Sequence, residues 1–143
     1  MRILILLLLL TVPACADSLV LSVPKSIRIS MGQSLSVPLT VRNAGKTARK
    51  LTYMIPTFWY PTVPKPLQLS EEVYDGPAHP VEVNIEAGKS VTLNSSPVLV
   101  VASRKPENRA QLLASPGRYS ISFRIPLGGQ QLQSNPAWLI VGR

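Results

Sequence analysis

The chain carries one imidazole, one thiol and seven carboxylates among its 143 residues, and this inventory bounds the chemistry open to it. A hydrolytic triad needs a nucleophile, a base and an orienting acid within hydrogen-bond reach. His79 is the sole imidazole, and its place between Ala78 and Pro80 reads as a solvated loop position. Ser22-Val23-Pro24-Lys25 has the S-x-x-K spacing by which a lysine activates a serine. That chemistry requires the two residues one helical turn apart, whereas here a Pro interrupts an extended run. Gly88-Lys89-Ser90 resembles the end of a phosphate-binding loop, but Val83 stands where the first Gly is needed, so a hairpin turn is expected. Glu71, Glu72 and Asp75 lack the alternating D-x-D pattern of a calcium loop and read as solvated acids. Asn94-Ser95-Ser96 is formally a glycosylation sequon. One Cys excludes a cysteine-based zinc cluster and an internal disulfide framework. The residues predict no catalytic, cofactor-binding or metal site, and a protein that is not an enzyme.

Charge suggests binding instead. Fifteen Lys and Arg, one of them Arg2, face seven Asp and Glu, which suits anionic partners such as lipid headgroups, wall polymers or acidic polysaccharide. Arg42, Lys46, Arg49 and Lys50 flank one turn, and Arg104, Lys105 and Arg109 lie in a later connection that strand topology places at the opposite pole. Positive charge split between poles lacks the continuous stripe of a nucleic-acid groove, so no nucleic acid is expected. The acidic 71–75 loop is expected at the pole of Arg104–Arg109.

The elements that would hold these residues are strands. Hydrophobic content of 45% with 15% charged residues is too apolar for a disordered chain. Apolar residues recur at every second position: Leu19, Leu21 and Val23; Ile27, Ile29 and Met31; Leu35, Val37, Leu39 and Val41. The pattern continues through Leu51, Tyr53 and Ile55; Val81, Val83 and Ile85; Val91 and Leu93; and Tyr119, Ile121, Phe123 and Ile125, and Ala137–Val141 closes the chain. A period of two means one buried and one wet face, hence antiparallel sheet. Glycines and prolines, 8 and 14 in number, punctuate these runs. Only Pro106–Ala114 reads as helical, for at most two turns. About seven strands of this kind form a two-layer sandwich with Phe123 near its centre.

Residues 1–16 read as an export leader: Met1-Arg2, the apolar run Ile3–Val12, then Ala14-Cys15-Ala16 as a cleavage site, with a mature start at Asp17. Val12-Pro13-Ala14-Cys15 also resembles a bacterial lipobox, which implies a leader of residues 1–14 and lipidation at Cys15. After the leader no apolar run reaches the ~20 residues of a membrane-spanning helix. The expected organisation is therefore a leader followed by one domain, residues 17–143, that is periplasmic or secreted, or else an outer-membrane lipoprotein whose only membrane contact is its lipid.

Leu113-Ala114-Ser115-Pro116-Gly117-Arg118-Tyr119-Ser120-Ile121 resembles the approach to strand F of immunoglobulin-like domains. In that family a Tyr at the start of the strand turns its hydroxyl back onto the preceding loop, the role the resemblance implies for Tyr119. Val41-Arg42-Asn43-Ala44-Gly45 is similar to the end of strand B and its turn in bacterial extracytoplasmic members. Ile121 stands where antibody domains carry their second Cys, so apolar packing replaces the inter-sheet bridge.

Pro56, Pro61, Pro64 and Pro66 enclose Phe58, Trp59 and Tyr60. Successive side chains of an extended chain point to opposite sides, so Trp59 is exposed if Phe58 and Tyr60 point inward. The segment serves either as a stiff recognition edge or as a cap over the sandwich end. Trp138 shares the ambiguity. The candidate interaction surface comprises Phe58, Trp59 and Tyr60 with Arg104, Lys105 and Arg109. The expected function is a monomeric, exported binding module at the bacterial envelope, its partner a protein or an anionic envelope component. The alternative is an inhibitor or chaperone-like protein that occupies a groove or sheet edge of another protein.

Overall fold

The computed structural model describes residues 19–55, 61–70, 79–95, 97–106, 109–127 and 130–143. Every regular element among them is a strand. β1 (Leu19–Ser22) buries Leu21 and exposes Val20 and Ser22. Pro24, which has no N–H to donate, ends it, and the chain enters β2 (Ser26–Ser30). Gly32, at a φ of 82° that side-chain-bearing residues rarely adopt, turns the chain into β3 (Ser34–Leu35) and β4 (Pro38–Asn43). β5 (Arg49–Ile55), β6 (Pro61–Thr62) and β7 (Gln68–Ser70) follow. β8 (His79–Ile85) and β9 (Ser90–Asn94) are joined by a turn in which Gly88 has a φ of 72°. The remaining elements are β10 (Val98–Val101), β11 (Gln111–Leu113), β12 (Gly117–Leu127), β13 (Gln130–Gln133) and β14 (Ala137–Gly142).

β4 lies between β1 and β9, antiparallel to both. β14 lies between β12, antiparallel, and β2, parallel. The far half of β12 pairs with β13 and, at Ser122 and Phe123, with β6. β5 and β8 form an antiparallel pair from Arg49↔Ile85 to Ile55↔His79. The short strands β3, β10, β11 and β7 form a fourth sheet, in which β10 and β11 run parallel.

These sheets share one interior. Leu21, Leu39 and Val41 from the first, Ile121, Phe123, Ile125, Leu139 and Val141 from the second, Leu51 and Ile85 from the third, and Leu35, Val100 and Leu112 from the fourth belong to a single buried cluster. The architecture is all-β and sandwich-like. Alternation holds along β4, β12 and β14, where Leu39 and Val41, Ile121, Phe123 and Ile125, and Ala137, Leu139 and Val141 are buried. β10 breaks the rule because all four of its residues are buried, as in a strand covered on both faces.

Two expectations are corrected. The segment Pro106–Ala114 contains no helix among its described residues; Gln111–Leu113 is strand β11. Leu112 enters the core, and pairing with both β10 and β7 satisfies the backbone, which outweighs a weak helical preference. The expected seven or so strands are fourteen segments among the described residues. Prolines and sheet changes divide the runs, as at Pro24 between β1 and β2 and at Pro136 between β13 and β14.

Where ladders break, buried polar side chains stand in for backbone. Between β13 and β14, Ser134, Asn135 and Pro136 face only Ser122 and Phe123 on β12, a bulge with one surplus residue. The Phe123 N–H donates to Ser134 Oγ at 2.9 Å, and the Ser134 N–H donates to the Phe123 carbonyl at 2.9 Å. The surplus residue Asn135 turns its amide on Val23, accepting from the N–H at 3.0 Å and donating to the carbonyl at 3.3 Å. It thereby pins the point where the chain leaves β1. Gln111 does the same for Lys105, with bonds of 2.8 Å and 2.7 Å that close the connection between β10 and β11. Asn43, fully buried, donates to the carbonyls of Thr47 and Ile85 and accepts from the Gly45 N–H. The Val37 N–H donates to buried Ser95 at 2.8 Å. Unpaired buried backbone groups are costly, so these side chains replace what no disulfide supplies.

Candidate functional site

The β12–β14–β2 sheet buries one face and exposes the other. Ile121, Phe123 and Ile125 on β12, and Ala137, Leu139 and Val141 on β14, point into the core. Alternation therefore sends Arg118, Ser120, Ser122 and Arg124, with Trp138 and Ile140, to the outer face. Strand register arranges them in rows. Arg118, Ile140 and Arg28 lie side by side across three strands, and Ser120, Trp138 and Ser26 form the next row. Beyond the bulge, Arg124 pairs with Gln133.

Trp138 is 44% exposed and, with Val20, is one of two large apolar side chains so exposed among the described residues. The Arg118 guanidinium carbon lies 3.9 Å from its ring centroid, within the range of a cation–π contact. The serines on either side are too small to crowd the ring. Beside it, the bulge and the segment after β6 open a groove of about 370 Å³, lined by Val63, Pro64, Ser120, Ser122, Gln133 and Pro136 among others. This lies in the lower part of the range for small-molecule clefts, roughly 300–1,000 Å³. Ser120 belongs to both features: it pairs with Trp138 and lines the groove.

Among the described residues the charge of this face is one-signed. The side-chain carboxylates among the described residues are Glu82 and Glu86, on β8 and in the turn that follows it. Glu82 pairs with Lys50 at 3.0 Å, both ends exposed, an interaction of little consequence for stability. Arg28, Arg118 and Arg124 are all exposed and share the outer face with no acid from the described residues.

Of the residues singled out from sequence, Phe58, Trp59 and Tyr60 lie outside the described residues, as do Cys15 and the Glu71–Asp75 loop. Pro61, which directly follows the aromatic triplet, pairs with Phe123. Arg104 and Lys105 are exposed in the connection between β10 and β11, and Arg109 is exposed just before β11. Arg42 and Ser90 pair at one end of the β4–β9 ladder, and Pro38 and Asn94 at the other, from which the chain leads to β10. His79 is exposed at the first position of β8. The Tyr119 hydroxyl donates to the Ser115 carbonyl at 2.8 Å. Among the described residues no group of three or more His, Cys, Asp or Glu is placed to hold a metal ion, and no helix is long and apolar enough to cross a membrane.

Sequence reasoning noted Trp138 but missed Arg118, Arg28 and the groove beside them. The outward parity of residues 118–124 and 138–140 was readable. Which of them become neighbours depends on the antiparallel and parallel registers of β14, which no local pattern encodes. No family model matches the sequence, and no curated protein matches it.

Proposed function

We propose that the chain is a small, exported, non-catalytic binding module of the immunoglobulin-like type, acting at the bacterial envelope through the outer face of β12 and β14. The observation that carries the reading is the exposed Trp138 under Arg118, with an open groove alongside. Exposed aromatic and Arg side chains at a concavity are the residue types that dominate binding energy at interfaces. The immunoglobulin-like assignment draws support from the Tyr119–Ser115 hydrogen bond, the parallel pairing of β2 with the last strand and the antiparallel order β1–β4–β9. Export rests on the leader pattern of residues 1–16.

The test combines localisation with binding. Fractionation and intact-mass analysis should find the protein outside the cytoplasm, starting at Asp17 or at a lipidated Cys15. The purified protein should sediment with isolated envelopes, and Trp138→Ala should lower the bound fraction. A cytoplasmic protein with an intact leader, or envelope binding indifferent to Trp138, would reject the reading.

One observation favours the alternative of strand addition to another protein. Among the described residues β9 pairs only with β4, leaving an edge of the kind to which client strands add.

A further inference from the structure

We infer that the Trp138 face binds an acidic polysaccharide, a polymer of pyranose rings that carry carboxylates. The inference rests on the proposed binding role of this face and names its ligand class.

Three features of the face match that chemistry. The first is the indole of Trp138, flanked across the sheet by Ser26 and Ser120. With Arg118 over one face of the ring, Trp138 is still 44% exposed, leaving apolar surface against which the flat C–H face of a pyranose can pack. The second is hydrogen bonding. Ser120, Ser122 and Gln133 supply hydroxyls and an amide along the adjoining groove, groups that both donate and accept, as sugar hydroxyls do. The third is charge. Arg118 and Arg28 stand two strands apart on either side of Ile140, so their backbones are separated by roughly 10 Å. Arg124 adds a third cation six residues further along β12. A guanidinium stacked on an aromatic keeps its N–H edge available to fork a carboxylate, and no carboxylate of the described residues pairs with Arg118. Three cations with no acid from the described residues among them fit a polymer that carries repeated acids.

Other anionic partners fit less well. A lipid surface calls for apolar side chains that insert, and Trp138 is the one large exposed apolar residue described on this face, since Val20 lies on β1. Single-stranded nucleic acid is held by several aromatics that stack successive bases, whereas among the described residues Trp138 is the one aromatic on this face. An extended peptide adds to a strand edge, but here side chains of an already paired sheet face outward.

Calorimetry with the purified protein tests the inference, using oligogalacturonate and alginate oligomers as probes. Neutral dextran, polyglutamate, oligo(dT) and anionic phospholipid vesicles serve as comparators. The uronates should bind and dextran should not. In a Trp59→Phe background, binding should change the remaining indole fluorescence. Trp138→Ala and Arg118→Ala should each weaken uronate binding at least ~tenfold, a loss of about 1.4 kcal/mol. Ser120→Asp, which keeps the ring but places an acid beside it, should abolish binding. Arg42→Ala, on the other sheet, should leave affinity within about twofold. Urea midpoints establish that each variant is folded.

Equal loss from Arg42→Ala and Trp138→Ala would show diffuse charge attraction and overturn the inference. So would polyglutamate, oligo(dT) or vesicles binding as tightly as the uronates. If the uronates do not bind while Trp138→Ala still lowers envelope sedimentation, the polysaccharide is the wrong ligand and the face remains a binding site. If neither responds to Trp138, both readings fall.

Discussion

Arg118 and Trp138 meet diagonally across two antiparallel strands. Arg118 pairs in register with Ile140 and Trp138 with Ser120, yet the guanidinium carbon of one lies 3.9 Å from the ring centroid of the other. Diagonal neighbours on one sheet face are far enough apart that only long or aromatic side chains bridge them. The pair therefore orients an indole that Arg118 covers on one side and that its small direct neighbours, Ser120 and Ser26, do not crowd.

Removing the cation should expose the ring further at little cost to the fold. Arg118→Ala is expected to destabilise by ~0.5–1 kcal/mol, the value of an exposed cation–π contact. In a Trp59→Phe background the indole emission should shift to longer wavelength. An unchanged spectrum would mean that the two groups do not meet in solution.

The core prediction is larger. Phe123 is among the largest fully buried side chains and sits in the cluster that all four sheets share. Phe123→Ala should cost ~3–5 kcal/mol, since a cavity is left as well as lost transfer energy. A urea melt checks it, and a midpoint equal to wild type would contradict the shared interior.

Asn135 makes a separate case, because its side chain completes the backbone just beyond β1. Its amide takes both polar groups of Val23, 112 positions away. Asn135→Ala should cost ~1–3 kcal/mol, from two partly buried backbone groups left without partners. Hydrogen exchange at the Val23 amide should accelerate more than at core amides of β12. Uniform acceleration across the protein would show a global effect and no local staple.

Asn43 yields a pH-dependent prediction. Its amide nitrogen donates to two carbonyls, those of Thr47 and Ile85, from a fully buried position. Asn43→Asp would place a carboxylate oxygen against them when ionised, so the folded state should favour the protonated acid and raise its pKa above the ordinary ~3.9. With the folded value raised, stability is greatest below the unfolded value and is lost as pH rises through the folded one. Asn43→Ala should lose ~2–4 kcal/mol at any pH. The deficit of Asn43→Asp should widen between about pH 3 and pH 7. Parallel curves for the two variants would refute the assigned direction of those hydrogen bonds.

The runs that read as strands in the sequence are those whose environment is two-sided: β4, β12 and β14 each separate core from water, and their residues alternate accordingly. β10 and β11 did not announce themselves, because a strand buried on both faces has no alternation and Leu112 gains its place from partners far along the chain. The bulge at Ser134–Pro136 was equally silent. Its polar residues look like a loop until Val23 and Phe123 come within hydrogen-bond reach. The site had the same character: Trp138 was conspicuous, but Arg28 became its neighbour only through parallel pairing of β2 with β14. Local patterning records which way a side chain faces, whereas neighbours across a sheet are set by register.

Gly117 and Tyr119 offer a sharper test of one local motif. A Cβ on Gly117 would lie 3.2 Å from the Tyr119 hydroxyl oxygen and 3.4 Å from the ring carbon that bears it. That hydroxyl donates to the Ser115 carbonyl at 2.8 Å, so the side chain cannot retreat without losing its bond. Tyr119→Phe should cost ~0.5–1.5 kcal/mol, the net value of one hydrogen bond. Gly117→Ala should cost a similar amount in the wild-type background by displacing the ring. In the Tyr119→Phe background the closest atom is gone, and Gly117→Ala should cost measurably less. A double-mutant cycle from urea melts reads the difference directly as a coupling energy. Strict additivity of the two substitutions would mean that Gly117 is needed for its backbone alone and that the hydroxyl does not hold the turn.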